Sequence, residues 1–480
     1  MGLKKKTLSG FIWTSAGTLG NGFVSLLVTM ILSRILIPYD FALIALLNVF
    51  LTISNVIVDS GFSQAIIRDD NPSQTDLSSV FYFNILLSFF IYGILYFLAP
   101  KIGLFYNAPE LTILSRVIFL VIIFNSFSII QNATLNRDLD FKVLNKCAVL
   151  GSFLAAIVSI IMAFTGFGIW ALVANSALLP FFRSVLLWYS SKWRPIKKFS
   201  FSSIKRYLSF GIFLMFQGVI DAISTDLISL VIGKVYTKND LGYYSQGKKM
   251  DGYIVSPFNS IIRKVTYPIL SKIKNEESRL KDAYRQIVSV VMFAFLPLMF
   301  FTIATSNNMI ITFFGSQWKE AGIYLKIAAF GVLLFPLQEI CANVILLKGK
   351  TKAMLNATLI KQVIRIVLIF SFINKGVVTL AIVFAISNFI GCVLYIYLGM
   401  HYLKYNFYEL IIDLYKTILA SLLCIGVVVV TGNVISDINT ILVFLIQALV
   451  MLVSYFIISK ILRNNNFAEL TSIIKTIFLQ

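Results

Sequence analysis

A chain of 480 residues that is 58% hydrophobic and only 13% charged excludes a water-soluble fold, because soluble domains run about 45–50% apolar and about 25% charged. Its net charge of +20 would point to nucleic acid in a soluble protein. Here the basic residues fall in short loops between apolar runs, so the positive-inside rule accounts for them and no nucleic-acid partner is expected.

Lys4, Lys5 and Lys6 precede an apolar stretch over 8–33. That stretch exceeds the roughly 7–15 residues of a signal h-region and no A-x-A site follows, so it reads as an uncleaved first membrane helix. A bilayer core takes about 20 apolar residues per helix. On that measure the first part of the chain predicts helices over 8–33, 41–67, 78–99, 113–134, 145–164 and 168–190. The last two share the uncharged run 147–182, divided by the turn signal Thr165-Gly166-Phe167-Gly168. The next six are predicted over 208–233, 241–262, 286–306, 321–347, 353–374 and 376–400, and two more over 414–432 and 438–459. The segment 241–262 is the least apolar, since it carries Lys248, Lys249 and Asp251.

The basic residues agree with this alternation. Of the 41, loops and termini assigned to the cytoplasm, with Lys146 and Lys416 at the cytoplasmic ends of their helices, hold 28, those assigned outside hold 6 (Arg34, Lys101, Lys234, Lys238, Lys319 and Lys375), and helix interiors hold 7. Such a bias predicts an even number of spans with both termini cytoplasmic. The expected architecture is an all-α integral membrane fold of about fourteen helices. An N-terminal lobe over 1–190 leads through a basic cytoplasmic linker over 191–207 to a C-terminal lobe over 208–400. Residues 401–480 add two helices and a cytoplasmic tail. The two six-helix lobes are expected to be pseudo-symmetric. A shift of 200 residues pairs Arg34 with Lys234 and Asp40 with Asp240, and a shift of 210 pairs Arg116 with Lys326 and Lys142 with Lys352. Parallel repeats of this kind place a binding site between them.

The chemistry of enzymes is scarce. Gly349-Lys350-Thr351 looks like the end of a P-loop, but Val344 stands where the earlier glycine is required. The one histidine is His401, at a helix end, and Cys147, Cys341, Cys392 and Cys424 are scattered through apolar segments. Neither a metal or hydrolase site nor a cofactor is expected. What remains is a set of charges within predicted helices, each costing about 2.5–3.5 kcal/mol at mid-bilayer on the insertion scale. The cations are Arg116, Arg183, Lys248, Lys249, Lys326, Lys361 and Arg365, and the anions are Asp59, Asp221, Asp226, Asp251 and Glu339. Arg116 and Lys326, near helix ends, are expected to snorkel. Lys361 and Arg365 are four apart on one helix face and repel unless an anion sits between them. A phosphate-bearing ligand would satisfy them, and so would Glu339 or an aspartate of the seventh helix.

Several segments resemble the Wzx-type polysaccharide flippases: Trp13-Thr14-Ser15-Ala16-Gly17 with Ile31-Leu32-Ser33-Arg34-Ile35-Leu36-Ile37-Pro38, and Asp59-Ser60-Gly61-Phe62-Ser63-Gln64-Ala65-Ile66-Ile67. Leu139-Asp140-Phe141-Lys142, Gly166-Phe167-Gly168-Ile169-Trp170-Ala171-Leu172-Val173, Leu241-Gly242-Tyr243-Tyr244 and Tyr267-Pro268-Ile269-Leu270-Ser271 extend the likeness. They look like the colanic-acid and teichuronic-acid exporter branch of the multidrug/oligosaccharidyl-lipid/polysaccharide exporter superfamily. The resemblance implies two six-helix lobes around a cavity, two extra helices, and a bacterial inner-membrane location. It implies a cargo of undecaprenyl-pyrophosphate-linked oligosaccharide moved to the outer leaflet, with membrane lipids, a polysaccharide polymerase and glycosyltransferases as partners. On this reading Lys248, Lys249, Lys361, Arg365 and Arg183 contact cargo, and Asp59, Asp221, Asp226 and Glu339 are candidates for ion coupling. An ion-coupled drug or cation antiporter of the same superfamily is the alternative, and a membrane scaffold a third.

Overall fold

The computed structural model describes residues 3–69, 71–435, 438–462 and 466. The C-terminal tail, with Gln480, lies outside the described residues. Among the described residues the regular structure is entirely helical. The first ten helices are α1 (Leu3–Ile35), α2 (Pro38–Asp59), α3 (Phe62–Arg68), α4 (Gln74–Phe105), α5 (Leu111–Ile118), α6 (Leu120–Ser126), α7 (Ile129–Arg137), α8 (Phe141–Phe164), α9 (Trp170–Ser190) and α10 (Phe201–Val235). They are followed by α11 (Lys238–Lys272), α12 (Glu277–Phe314), α13 (Ala321–Gly331), α14 (Phe335–Leu347), α15 (Thr351–Ser371), α16 (Val377–Leu403), α17 (Phe407–Val434) and α18 (Thr440–Ile461).

Among the described residues, twelve segments are long and apolar enough to cross a membrane, and α5–α6 with α7, bent by 40°, makes a thirteenth. The expected count of fourteen therefore turns on α11. That helix starts three residues before the expected 241–262 and ends ten after it. Lys248, Lys249, Asp251 and Arg263 keep it below the apolar threshold.

Two compact units divide the chain, Met1–Ser245 and Gln246–Gln480, with the boundary inside α11. In the first unit, α8 packs along both α1 and α9, and α10 along α2. Tight passages are made by glycine. A Cβ on Gly211 would run into the Ser60 carbonyl, and one on Gly61 would come within 2.6 Å of the Gly211 backbone. Gly61 also sits at φ +71° in the sharp turn between α2 and α3, a conformation that costs glycine nothing. The 191–200 segment is not a free linker. The Ile196 and Ser200 amides donate to Ser78 Oγ (3.0 Å) and Ser79 Oγ (2.8 Å) on α4. The buried Trp193 ring meets Phe81 edge-on at 5.5 Å. Arg194 donates to the Trp188, Ser191 and Trp193 carbonyls, closing the carbonyl end of α9.

In the second unit, α12 is the central rod, flanked by α13, α17 and α18. Tyr284, Val288, Met292 and Phe295 of α12 share a core with Ile340, Cys341 and Val344 of α14. At one end Arg285 grips Asp413 with two bonds of 2.8 and 2.6 Å, and Tyr405 Oη donates to the same carboxylate at 2.7 Å. Further along, Asn308 Nδ2 donates to Gln447 Oε1 at 3.0 Å and Tyr455 Oη to the Phe293 carbonyl at 2.7 Å.

Helix boundaries recur along the chain. The α1–α2 junction falls at Ile35 and Pro38, and the α10–α11 junction 200 residues later at Val235 and Lys238. Asp40 accepts the Ile37 amide, as Asp240 accepts the Thr237 amide, both at 3.2 Å. The broken span from Leu111 to Arg137 matches the one from Ala321 to Leu347 at a shift of 210, and α8 begins 210 residues before α15. Asp40 and Asp240, and Lys142 and Lys352, thus sit at equivalent helix starts, and Arg34 and Lys234 at equivalent helix ends.

Candidate functional site

Each unit holds its own polar centre. In the second unit it lies on α16. The Arg365 guanidinium, only 3% exposed, donates from Nη2 to Asn388 Oδ1 at 2.6 Å, from Nε to Ser387 Oγ at 3.4 Å, and from Nη1 to Gln362 Oε1 at 3.4 Å. Its Cζ stands 4.6 Å from the centroid of the Phe384 ring, and Lys248 Nζ lies 5.5 Å from the same centroid. A quadrupolar ring face offers a cation partial compensation for lost water. One turn before Arg365, the Lys361 stem lies across Gly391, where even a Cβ would clash with its Cε at 2.8 Å. Three of the expected cations, Lys248, Lys361 and Arg365, therefore meet one helix. Lys249, next along α11 and about 100° around it, is exposed. Glu339 of α14 accepts from Arg263 Nε at 3.1 Å. Asp251 is buried, with Oδ1 lacking a hydrogen-bond partner.

In the first unit the centre is a cavity of about 340 Å³. Asn55 and Asp59 reach it from α2, Ser63 from α3, Asn125, Ser128 and Asn132 from the break around α6 and α7, and Arg183 from α9. Asp59 Oδ1 accepts from the Ser63 amide at 3.3 Å and from its hydroxyl, so this acid also caps the start of α3. Asn125 Nδ2 donates to Asn55 Oδ1 at 3.0 Å. Arg183 Nη2 donates to Asn132 Oδ1 at 2.8 Å, while its Nε is buried without a hydrogen-bond partner. The position of Arg183 is fixed by Gly151 of α8, where a Cβ would come within 2.9 Å of the Arg183 amide nitrogen. A second cavity of about 180 Å³ lies on the other side of Arg183, lined by Asn21, Ser25, Ser152 and Asn175. Asp59 and Arg183 thus border one space. Asp221 and Asp226 are half-buried on α10 of the same unit and do not line that space.

Of the snorkelling candidates, Lys326 is exposed. Arg116 lies over the Tyr96 ring at 4.4 Å. Sequence alone does not single out the asparagines at 55, 125, 132 and 388 or the ring of Phe384. The available signal was the recurrence of asparagine inside apolar spans, where an amide also needs a partner.

A family model described as polysaccharide biosynthesis protein matches residues 31–323, well over half of the 480-residue chain. The chain belongs to this family. Among curated proteins, it is 24% identical over 350 residues to the teichuronic acid biosynthesis protein TuaB of Bacillus subtilis, covering 72% of each chain. It is 26% identical over 331 residues to the lipopolysaccharide biosynthesis protein WzxC of Escherichia coli, covering 67% of this chain and 65% of that one. Among solved structures, the inward closed lipid II flippase MurJ superposes with a TM-score of 0.74 at 18% identity, over 95% of this chain and 99% of that one. An inward-facing multidrug resistance transporter of the MATE family gives 0.60 at 15% identity, over 80% and 94%. These two likenesses establish the fold. Family membership places the polar centres in a polysaccharide biosynthesis protein with a transporter-like bundle.

Proposed function

We propose that the protein is a flippase for lipid-linked oligosaccharide, carrying undecaprenyl-pyrophosphate-linked repeat units from the cytoplasmic to the outer leaflet of the bacterial inner membrane, without a covalent step. The observation that carries this reading is the convergence of Lys248, Lys361 and Arg365 on α16. A diphosphate headgroup cannot enter hydrocarbon without replacing its water. Cations held in an apolar bundle supply that replacement, and the prenyl chain stays in lipid. A drug or cation antiporter would instead present acids to its cargo. Both termini are cytoplasmic in this proposal, α11 is a fourteenth span, and 1–190 and 208–400 are the two lobes. Asp221, Asp226 and Glu339 are the acids offered for ion coupling, and a polymerase and glycosyltransferases are the partners on either side of the transfer step.

Proteoliposomes carrying radiolabelled undecaprenyl-pyrophosphate-linked sugar test it, with an impermeant reagent reporting outer-leaflet sugar. Transfer should require the protein and fall at least about tenfold in an Arg365→Gln, Lys248→Gln double variant, a loss of about 1.4 kcal/mol or more. Transfer no faster than in protein-free vesicles would reject the proposal.

A further inference from the structure

The cavity beside Arg183 has a chemistry unlike that of the cationic centre. With Asp59 ionised and Arg183 protonated its lining carries no net charge, since no other charged side chain borders it. Arg183 has five N–H donors and spends one on Asn132, leaving its Nε buried and unmatched. Asn55 uses its carbonyl to accept from Asn125, so its own amide hydrogens remain to be placed. On the same cavity Asp59 offers carboxylate lone pairs beyond those that hold Ser63. Donors and an acceptor thus border one space of about 340 Å³, in a segment where an unmatched polar group costs several kcal/mol.

A diphosphate would suit Arg183 and be repelled by Asp59. A divalent or monovalent cation would suit Asp59 and be repelled by Arg183. A neutral polyol satisfies both, because each hydroxyl donates once and accepts twice. Its hydrogens go to the carboxylate, and its lone pairs take the guanidinium and amide hydrogens. We infer that this cavity is a sugar subsite, which takes an uncharged pyranose of the cargo by planar polar contacts from Asn55, Asp59, Asn132 and Arg183. The inference rests on the flippase reading for the source of the sugar, and it gives the first unit the task of reading the glycan. Arg183 then serves hydroxyl recognition rather than the pyrophosphate, and Asp59 serves cargo rather than ion coupling.

Saturation-transfer NMR on the full-length protein in nanodiscs tests this with glucose, galactose and N-acetylglucosamine, each added alone. Phosphorus line broadening of inorganic pyrophosphate is the parallel probe. At least one sugar should draw saturation from the wild type, about tenfold more strongly than from Asn55→Leu or Asp59→Asn. The exposed Lys326→Gln variant should match the wild type. Pyrophosphate broadening should survive both cavity variants. Gel filtration and thermal melting check folding, and Asp59→Asn, which keeps size and the Ser63 contact, decides the matter where Asn55→Leu is unstable. No saturation with any sugar, saturation unchanged in Asp59→Asn, or loss of pyrophosphate binding in place of sugar binding would each overturn the inference. Failure of the flippase reading has a different signature, namely intact sugar saturation with no transfer of lipid-linked sugar between leaflets.

Discussion

Trp188 of α9 shows how single residues make an irregular span tolerable in lipid. The chain breaks between α6 and α7, and a break in hydrocarbon frees carbonyls that water cannot reach. Trp188 Nε1 donates to the Phe127 carbonyl at 2.8 Å, across the break. Trp188→Phe keeps the ring bulk and removes the donor, which should cost about 1–2 kcal/mol, read as a melting point lower by a few degrees in detergent. An unchanged melting point would mean that another donor takes over. Residues of this sort divide sharply by their legibility. Lys361, Arg365 and Arg183 stand out in sequence because a charge within an apolar run needs a reason. Asn55, Asn132 and Asn388 do not, because a neutral amide is cheap enough to occur without one. Lys249 is as legible as Lys248, but one residue along a helix turns the side chain by about 100°, and it lies exposed beside its half-buried neighbour.

At the scale of elements, close helix crossings depend on bare backbone. The turn at Ser60-Gly61 meets α10 at Gly211 so closely that a side chain on Gly211 would run into the Ser60 carbonyl. Gly211→Val cannot relieve that by a rotamer change and should lose more than about 2 kcal/mol, by analogy with overpacking in cores. Gly22→Ala, with open space around it, should melt as the wild type. Equal melting points for the two would remove the crossing from the account. Most helices were readable from apolar length, but the break within 111–137 was not. Its residues 119–129 contain neither glycine nor proline, the usual marks of a bend. The bend is accompanied instead by side chains that bond their own backbone. Ser126 Oγ donates to the Ile123 carbonyl at 2.8 Å, Ser128 Oγ to that of Asn125 at 3.1 Å, and Asn132 Nδ2 to that of Ser128 at 2.8 Å. Such bonds compete with the helical ladder, and nothing in hydrophobic periodicity records them.

For the whole molecule, the recurrence of helix boundaries at 200 and 210 residues is a stronger sign of internal duplication than the few identities that first suggested it. Structure outlasts sequence here because lipid fixes span lengths while accepting almost any apolar residue. Topology follows from the distribution of basic residues and can be measured directly. Reporters fused after Ser191 and after Gln480 should both report cytoplasm, and one fused after Lys319 should report the outside. A swap of signal at both Lys319 and Gln480 would remove α11 from the count of spans, and a swap at Gln480 alone would remove one helix after Lys319. The polar centres are the least legible feature at this scale. Lys248, Lys361 and Arg365 come from α11 and α15, and Phe384 from α16, and only packing brings them together.

The bond between Asn308 and Gln447 sets an order of manufacture. A ribosome that has just added Asn308 must add a further 139 residues before the partner amide exists, roughly 7–28 s of synthesis at about 5–20 residues per second. During that interval the Asn308 amide and the Phe293 carbonyl wait for Gln447 and Tyr455. A chain interrupted at residue 403 would leave both groups without these partners.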